Sequence, residues 1–281
     1  MPEEALSLLN VRSDGTYLDA TAGLGGHTKL IAARLTTGLV IANDRDPASL
    51  EMARQNTAEW SERIQFLHGP FDRLRAGLDA LGVERVDGLL ADLGVSRYQL
   101  TSPERGFSFM AEGPLDMRMD QTRGMTAADY VNHTDEKTLA DLIYQYGEER
   151  RSRNVARAIV RARPIRSTQH LADVVLRAVH RTGRLHPATK TFMALRMAVN
   201  DEPGQLDQLL KLGPELLASG GRMVVISFMS FDDRRVKEKF KELGRSGRAT
   251  VLTKHPLTPG DEEIARNPAS RSAKLRALEM N

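Results

Sequence analysis

Four short apolar runs, TYLDATA, GLVIAND, RIQFLHG and VDGLLADLG, occur before Ser96, and stretches with helical spacing such as DPASLEMARQNTAEW separate them. This alternation dictates the architecture, because parallel strands need a crossover between them and helices supply it while covering both faces of the sheet. After ADLGVS the rhythm stops. From Tyr98 to His186 the chain turns Arg-rich and helical, as in EERRSRNVARAIVRA and TQHLADVVLRAVHR. The first pattern then resumes with the helix ATKTFMALRMAVN, the strand GGRMVVISF, the charged helix DDRRVKEKFKEL and two extended segments, RATVLT and SAKLRALEM. One split α/β domain is expected, with residues 1–97 and 187–281 as the core and 98–186 as an inserted α-helical subdomain. Two extended segments at the end predict an antiparallel closing hairpin rather than another crossover. No repeat, heptad run or low-complexity stretch is present, which excludes solenoids and coiled coils.

The chain of 281 residues is long enough for a sizeable core, and no apolar run approaches the roughly 18 residues that would span a bilayer. Its start, MPEEALSLLNVRSDG, has acids where an export signal needs positive charge. There are no cysteines, so disulfides and thiolate metal sites are excluded and a cytoplasmic setting is expected. The histidines are scattered without metal-ligand spacing, so no metal is expected. A net charge of +3 hides an asymmetry: Met1–Ser96 holds 9 Lys and Arg against 14 acids, whereas Gly147–Lys190 holds 11 against 3. A charge run can be a solvated helix face, but Arg is the side chain suited to bidentate phosphate contacts, so a nucleic-acid surface is the sharper alternative.

The first apolar run ends in LDATAGLGGHT, with Asp19 at its carboxyl end and Gly23, Gly25 and Gly26 opening the helix HTKLIAARL. Glycines let a backbone bend tightly and approach a ligand, although many such turns are only steric. The second run ends in VIANDRDP, placing Asp44 about 20 residues past the glycines, where a carboxylate can take both hydroxyls of a ribose. Alternatively Asp44 and Asp46 cap the helix that starts near Pro47, a role expected of Asp46. Nicotinamide and S-adenosylmethionine enzymes share this arrangement. Three features favour the methyl donor: the placement of Asp19 for a cationic amino-acid group, Asp92 at the carboxyl edge of the fourth strand, and the closing hairpin.

The chain resembles the small-subunit ribosomal RNA methyltransferase H family, in GGHT (25–28), NDRDP (43–47), HGPF (68–71), DLGVS (92–96), SPERGFSF (102–109) and GPLDMRMD (113–120). YGEER (146–150), ARAIV (156–160), HPATKTF (186–192) and NPASRSAKLRA (267–277) extend the resemblance over nearly the whole chain. It implies a Rossmann-like class I S-adenosylmethionine-dependent methyltransferase sheet. The activity implied is transfer of a methyl group to the exocyclic N4 amine of a cytidine in the decoding region of 16S-type RNA. Methyl-donor contacts would fall on Gly23, Gly25, Gly26, His27, Asp44, Phe71, Asp92 and Gln99. Without the family pattern, Phe71 reads as a core residue and Gln99 as a surface one. The expected partner is small-subunit ribosomal RNA, with no membrane and with a homodimer left open. The sequence departs from the family where Arg97 and Tyr98 replace a Ser-Pro pair and where Met229 replaces a histidine; the family's His-x-Pro-Val opening is absent.

A cytosine amine is a poor nucleophile because its lone pair is delocalised into the ring, so acceptors on its hydrogens must help it rehybridise. Asp92 is the candidate acceptor, with service to the methyl donor alone as the other role. Arg105 belongs to the matched RGFSF segment and is a candidate RNA contact. Asp116 and Arg118 read first as a structural pair and second as RNA contacts, and Arg150, Arg151, Arg153 and Lys190 are candidates for phosphates. Methylation of another RNA or of DNA, or a non-catalytic RNA-binding assembly factor retaining the fold, are the competing readings. A nicotinamide oxidoreductase is the weakest.

Overall fold

The computed structural model describes residues 1–179 and 186–281, which form two compact units, Met1–Gly94 with Gly204–Asn281 and Val95–Pro203. In chain order the elements are α1 (Pro2–Leu9), β1 (Thr16–Asp19), α2 (Gly26–Ala32), β2 (Leu39–Asp44), α3 (Pro47–Asn56), β3 (Ile64–His68), α4 (Leu74–Ala80) and β4 (Val86–Asp92). The second unit contributes α5 (Arg97–Thr101), α6 (Ala127–His133), α7 (Glu136–Gly147), α8 (Ser152–Arg161), α9 (Thr168–Ala178) and α10 (Ala188–Val199). After it come α11 (Glu202–Leu216), β5 (Leu217–Ser227), α12 (Ser230–Arg245), β6 (Ala249–Val251), α13 (Asp261–Arg266) and β7 (Lys274–Met280).

The first unit is a seven-stranded sheet in the order β3-β2-β1-β4-β5-β7-β6. Strands β1 to β5 are parallel, while β7 runs antiparallel to both β5 and β6, which is the closing arrangement expected from the two extended segments. Alternate side chains feed separate cores. Leu18, Ile41 and Leu89 face a layer containing Leu74, Leu209 and Phe240, whereas Tyr17, Val40 and Leu90 face Leu9, Ile31 and Leu50. Covering both faces explains why β1, β2 and β4 read as nearly continuous apolar runs. The strand order reverses at β1 and β4, the switch point at which such sheets bind ligands.

The second unit is helical, with a core that includes Val131, Leu139, Ile143, Val155, Ile159, Leu171 and Leu195. Its bounds follow Gly94 and Pro203, so α10, which the sequence reading grouped with the sheet, packs instead on α7. Two features account for that packing. Ala188, Phe192 and Leu195 present an apolar stripe, and Gly147 allows close approach: a Cβ there would lie 2.6 Å from the Lys190 carbonyl oxygen.

In the first unit Arg276 of β7 donates to Asp233 of α12 at 2.6 Å and 3.2 Å, and the Lys274 ammonium lies 3.4 Å from the same carboxylate. Burial alone would raise the Asp233 pKa, but these cations outweigh it and hold the group below its usual value. Removing Arg276 leaves the buried carboxylate with Lys274 as its one cation. Arg276→Ala should therefore cost about 3 kcal/mol, the low end for a broken buried pair, read as a lower urea midpoint at unchanged slope. Breaking the more exposed Arg222–Glu279 pair should cost about 1 kcal/mol or less.

Candidate active site

Three carboxylates converge on the carboxyl edge of the sheet because β1, β2 and β4 each end in aspartate. Asp19 is fully buried; its Oδ2 accepts from Thr28 Oγ1 at 2.6 Å and its Oδ1 from the Thr21 amide at 3.2 Å. Asp44 accepts from the Gly23 amide at 2.8 Å and the Asp46 amide at 2.8 Å, so it ties the glycine loop to the turn after β2. Asp46, as expected, caps α3 through the amides of Ala48 and Ser49. The Asp92 amide donates to Thr21 Oγ1 at 2.6 Å, and Asp92 Oδ1 is buried without a hydrogen-bond partner. His27 Nδ1 lies 3.9 Å from Asp92 Oδ2.

Burial raises the pKa of Asp19, Asp44 and Asp92 to about 6 each, against hydrogen bonds that lower the first two. His27 and the Met1 ammonium lower Asp92 in part, while burial depresses His27 itself despite Asp92. The site is thus rich in desolvated negative charge and complements a cation.

The glycines divide into two roles. Gly25, at φ 88°, is steric: a Cβ would lie 2.8 Å from Thr57 Cγ2 and 3.3 Å from Ala53 Cα. At Gly26 a Cβ would meet nothing within 4 Å, and at Gly23, with φ 52°, only the Thr21 carbonyl at 3.9 Å. Those two positions leave open space against bare backbone. Phe71 is half-buried against the core, and its amide donates to Gln205 Oε1 at 2.8 Å. Thr21, Thr28, Asn43 and Gln205 were not among the predicted residues. Asn43 is buried and donates to the Ala20 and Gly69 carbonyls, joining the loops after β1 and β3. No local motif marks such bonds between distant segments.

In the second unit Gln99 is buried, not superficial: with Ser96 it forms a capping box at the start of α5. Arg105 corrects the expectation of an RNA contact. It is 2% exposed and donates to the Arg118 and Met119 carbonyls, so its guanidinium is enclosed by its own chain. The ring of Tyr98 lies 6.0 Å from that guanidinium. Asp116 and Arg118 form the structural pair, bidentate at 2.7 Å and 2.9 Å, with Asp116 also accepting from Gln121. Burial would raise the Asp116 pKa, yet the Arg118 hydrogen bonds hold it below its usual value. Both are thus paired within the unit, as the first of the two readings expects. Arg150, Arg151 and Arg153 are exposed, while the Lys190 ammonium donates to the Glu148 carbonyl at the end of α7. In the first unit Met229 begins α12 without a side-chain cap.

Among the described residues no cluster of three or more His, Asp or Glu could hold a metal, and no helix is long and apolar enough to cross a membrane.

An open sheet with an antiparallel strand beside its last parallel one, a glycine loop at the switch point and carboxylates suited to a cation define a class I methyl-donor-dependent transferase. The chain belongs to the MraW methylase family, whose model matches residues 1–281. It is 75% identical over 280 residues to the ribosomal RNA small subunit methyltransferase H of Solibacter usitatus, covering 100% of this chain and 98% of that one. Identity is 51% to the enzyme of that name from Acidobacterium capsulatum (99% and 96% covered) and 50% to that from Koribacter versatilis (99% and 91%). The protein is a methyltransferase, and its methyl donor is S-adenosylmethionine. The residues present fit that donor: open backbone at Gly23 and Gly26, a buried Asp92 oxygen lacking a partner, and carboxylates raised by burial that a cation would stabilise in their ionised form.

A folded-state pKa of about 6 means that the ligand-free protein holds protons that the unfolded chain, titrating at 3.8, has lost. These groups therefore disfavour the fold as pH rises from about 4 through 6, and a bound cation offsets that cost. Donor binding near pH 6 should release protons, seen as a calorimetric enthalpy that depends on the buffer. Affinity at pH 5.5 should be about fourfold below that at pH 7.5 for each carboxylate that must ionise; binding without proton release would contradict the assignment.

Proposed function

We propose that the protein transfers a methyl group from S-adenosylmethionine to the exocyclic N4 amine of a cytidine in the decoding region of small-subunit ribosomal RNA, and that it works in the cytoplasm. The observation that carries the reading is the buried, unpartnered Oδ1 of Asp92 beside the open glycine loop, in a chain of this family.

S-adenosylmethionine supplies an electrophilic methyl group on a cationic sulfur. In this reading the bare backbone at Gly23 and Gly26 admits the methionine portion, and the backbone at Gly25 and His27 continues that wall. Asp44, held by the Gly23 and Asp46 amides, is oriented to accept from the ribose hydroxyls. Phe71 is assigned to the adenine. Asp92, fixed by Thr21, accepts from the cytosine amine and so draws its lone pair out of conjugation as the new bond forms. The proton lost from nitrogen passes to solvent, so no metal or histidine base is required. Holding the reactants in line can supply roughly 7–11 kcal/mol of barrier reduction. Exposed Arg150, Arg151 and Arg153 serve the RNA phosphates.

With labelled donor and small ribosomal subunits that lack the modification, the protein should place N4-methylcytidine in the decoding region, located by mass mapping of nucleosides. Asp92→Ala should lower transfer by at least about a hundredfold, the scale expected for losing one acceptor at the reacting atom. Donor binding without any methylated nucleoside would refute the assigned activity.

A further inference from the structure

Helices α8 and α9 leave an open groove of about 470 Å³ between them, lined by Ala158, Ala162, His170, Val174, Arg177 and Ala178. We propose that this groove is a nucleotide subsite for single-stranded RNA, seating a base of the substrate strand other than the methylated cytidine. The proposal rests on the reading of the protein as an RNA methyltransferase.

The lining is laid out by helix geometry. Ala158 lies on α8 and Ala162 caps its end four residues on, and His170, Val174, Arg177 and Ala178 share one face of α9. Three alanines and a valine make a floor shallow enough for a flat ring to lie against both helices. A base has an apolar face of that kind whatever its identity, so such a floor is tolerant of sequence.

The polar groups stand at the margins. His170 Nδ1 accepts from the Arg166 amide at 3.3 Å, which keeps the ring proton on Nε2, the nitrogen free to donate to a base edge or phosphate. Arg177 is exposed and binds the Asp173 carbonyl through Nε at 3.2 Å, leaving its terminal amino groups for an anion.

The surrounding charge selects the occupant. Exposed Arg153, Arg157 and Arg161 follow one another at four-residue spacing on α8, and Arg166 is exposed just before α9. Among the described residues, Arg157 alone of these has a carboxylate partner, the exposed Glu136 of α7 at 3.4 Å. A flat apolar slot with Arg177 in its lining and Arg166 beside His170 matches a strand that presents a ring and a phosphate at each step, and an acidic peptide supplies only the charge.

The test uses the full-length protein and a fluorescein-labelled single-stranded RNA dodecamer, followed by anisotropy across a salt series. Arg177→Gln should weaken binding several-fold and reduce the slope of log affinity against log salt by about 0.7, the loss of one phosphate contact. Ala162→Phe, which fills the groove without touching charge, should weaken binding about tenfold at unchanged slope. Binding of S-adenosylhomocysteine reports on folding of the first unit, and the circular dichroism melting profile on the helical unit. If both variants stay folded and bind RNA like the parent, the groove is not the subsite. If a glutamate dodecamer competes with RNA and loses affinity equally through Ala162→Phe, the groove is a peptide site and the proposal fails. Should the parent protein fail to methylate ribosomal subunits, the functional reading itself fails; a parent that methylates with unaffected variants sinks the groove alone.

Discussion

Covering both faces of the parallel sheet is the constraint from which the site follows. Tyr17, Leu18, Ile41, Leu89 and Leu90 are almost wholly buried, so the central strands have no face on which a polar residue can meet water. Polar groups can surface only where strands end, and in a parallel arrangement β1, β2 and β4 end on the same edge. Asp19, Asp44 and Asp92 are the terminal residues of those strands. Their convergence needs no separate explanation: it results from three apolar runs that each stop at an aspartate.

That convergence is electrostatically costly on its own. The groups acting on Asp19 and Asp44 include no Lys or Arg, and desolvation dominates both. The backbone limits the cost by donating amides from Gly23 and Asp46, and Thr28 adds its hydroxyl. Elsewhere in the same unit, buried Asp233 is matched by Arg276 and Lys274 and is held below its usual pKa. The contrast is with Asp19 and Asp44, which have no cationic side chain among the groups acting on them, and with Asp92, which burial raises despite His27 and the Met1 ammonium.

How much of this was legible depended on whether a residue's role is local. Asp44 and Asp92 could be read because each closes an apolar run, and the split of the chain showed in the change from strand rhythm to Arg-rich helix. Gln99 was legible in principle, since SRYQ carries the spacing of a capping box, yet a glutamine in a polar stretch reads as superficial. Asn43 and Thr21 were not legible, because their partners Gly69 and Asp92 are 26 and 71 residues away and only the register of the sheet brings them together. The bound of the helical unit was also hidden: the packing of α10 on α7, close enough at Gly147 to leave no room for a Cβ, joins segments far apart in the chain.

Arginine in the second unit shows why charge counts overstate a nucleic-acid footprint. The irregular stretch before α6 leaves carbonyls without helix or sheet partners, and a guanidinium with five donors can satisfy several at once. Arg105 is used in this way for the Arg118 and Met119 carbonyls, and Arg163 donates to those of Val131 and Thr134. Arg118 serves Asp116 and Gly124, and Arg196 serves Glu202. Those arginines hold the unit together, whereas the exposed ones gather on and around α8, where the buried face of Val155, Ala156 and Ile159 turns the intervening positions to solvent. Amphipathic periodicity, more than total charge, therefore decides which arginines can reach a phosphate backbone.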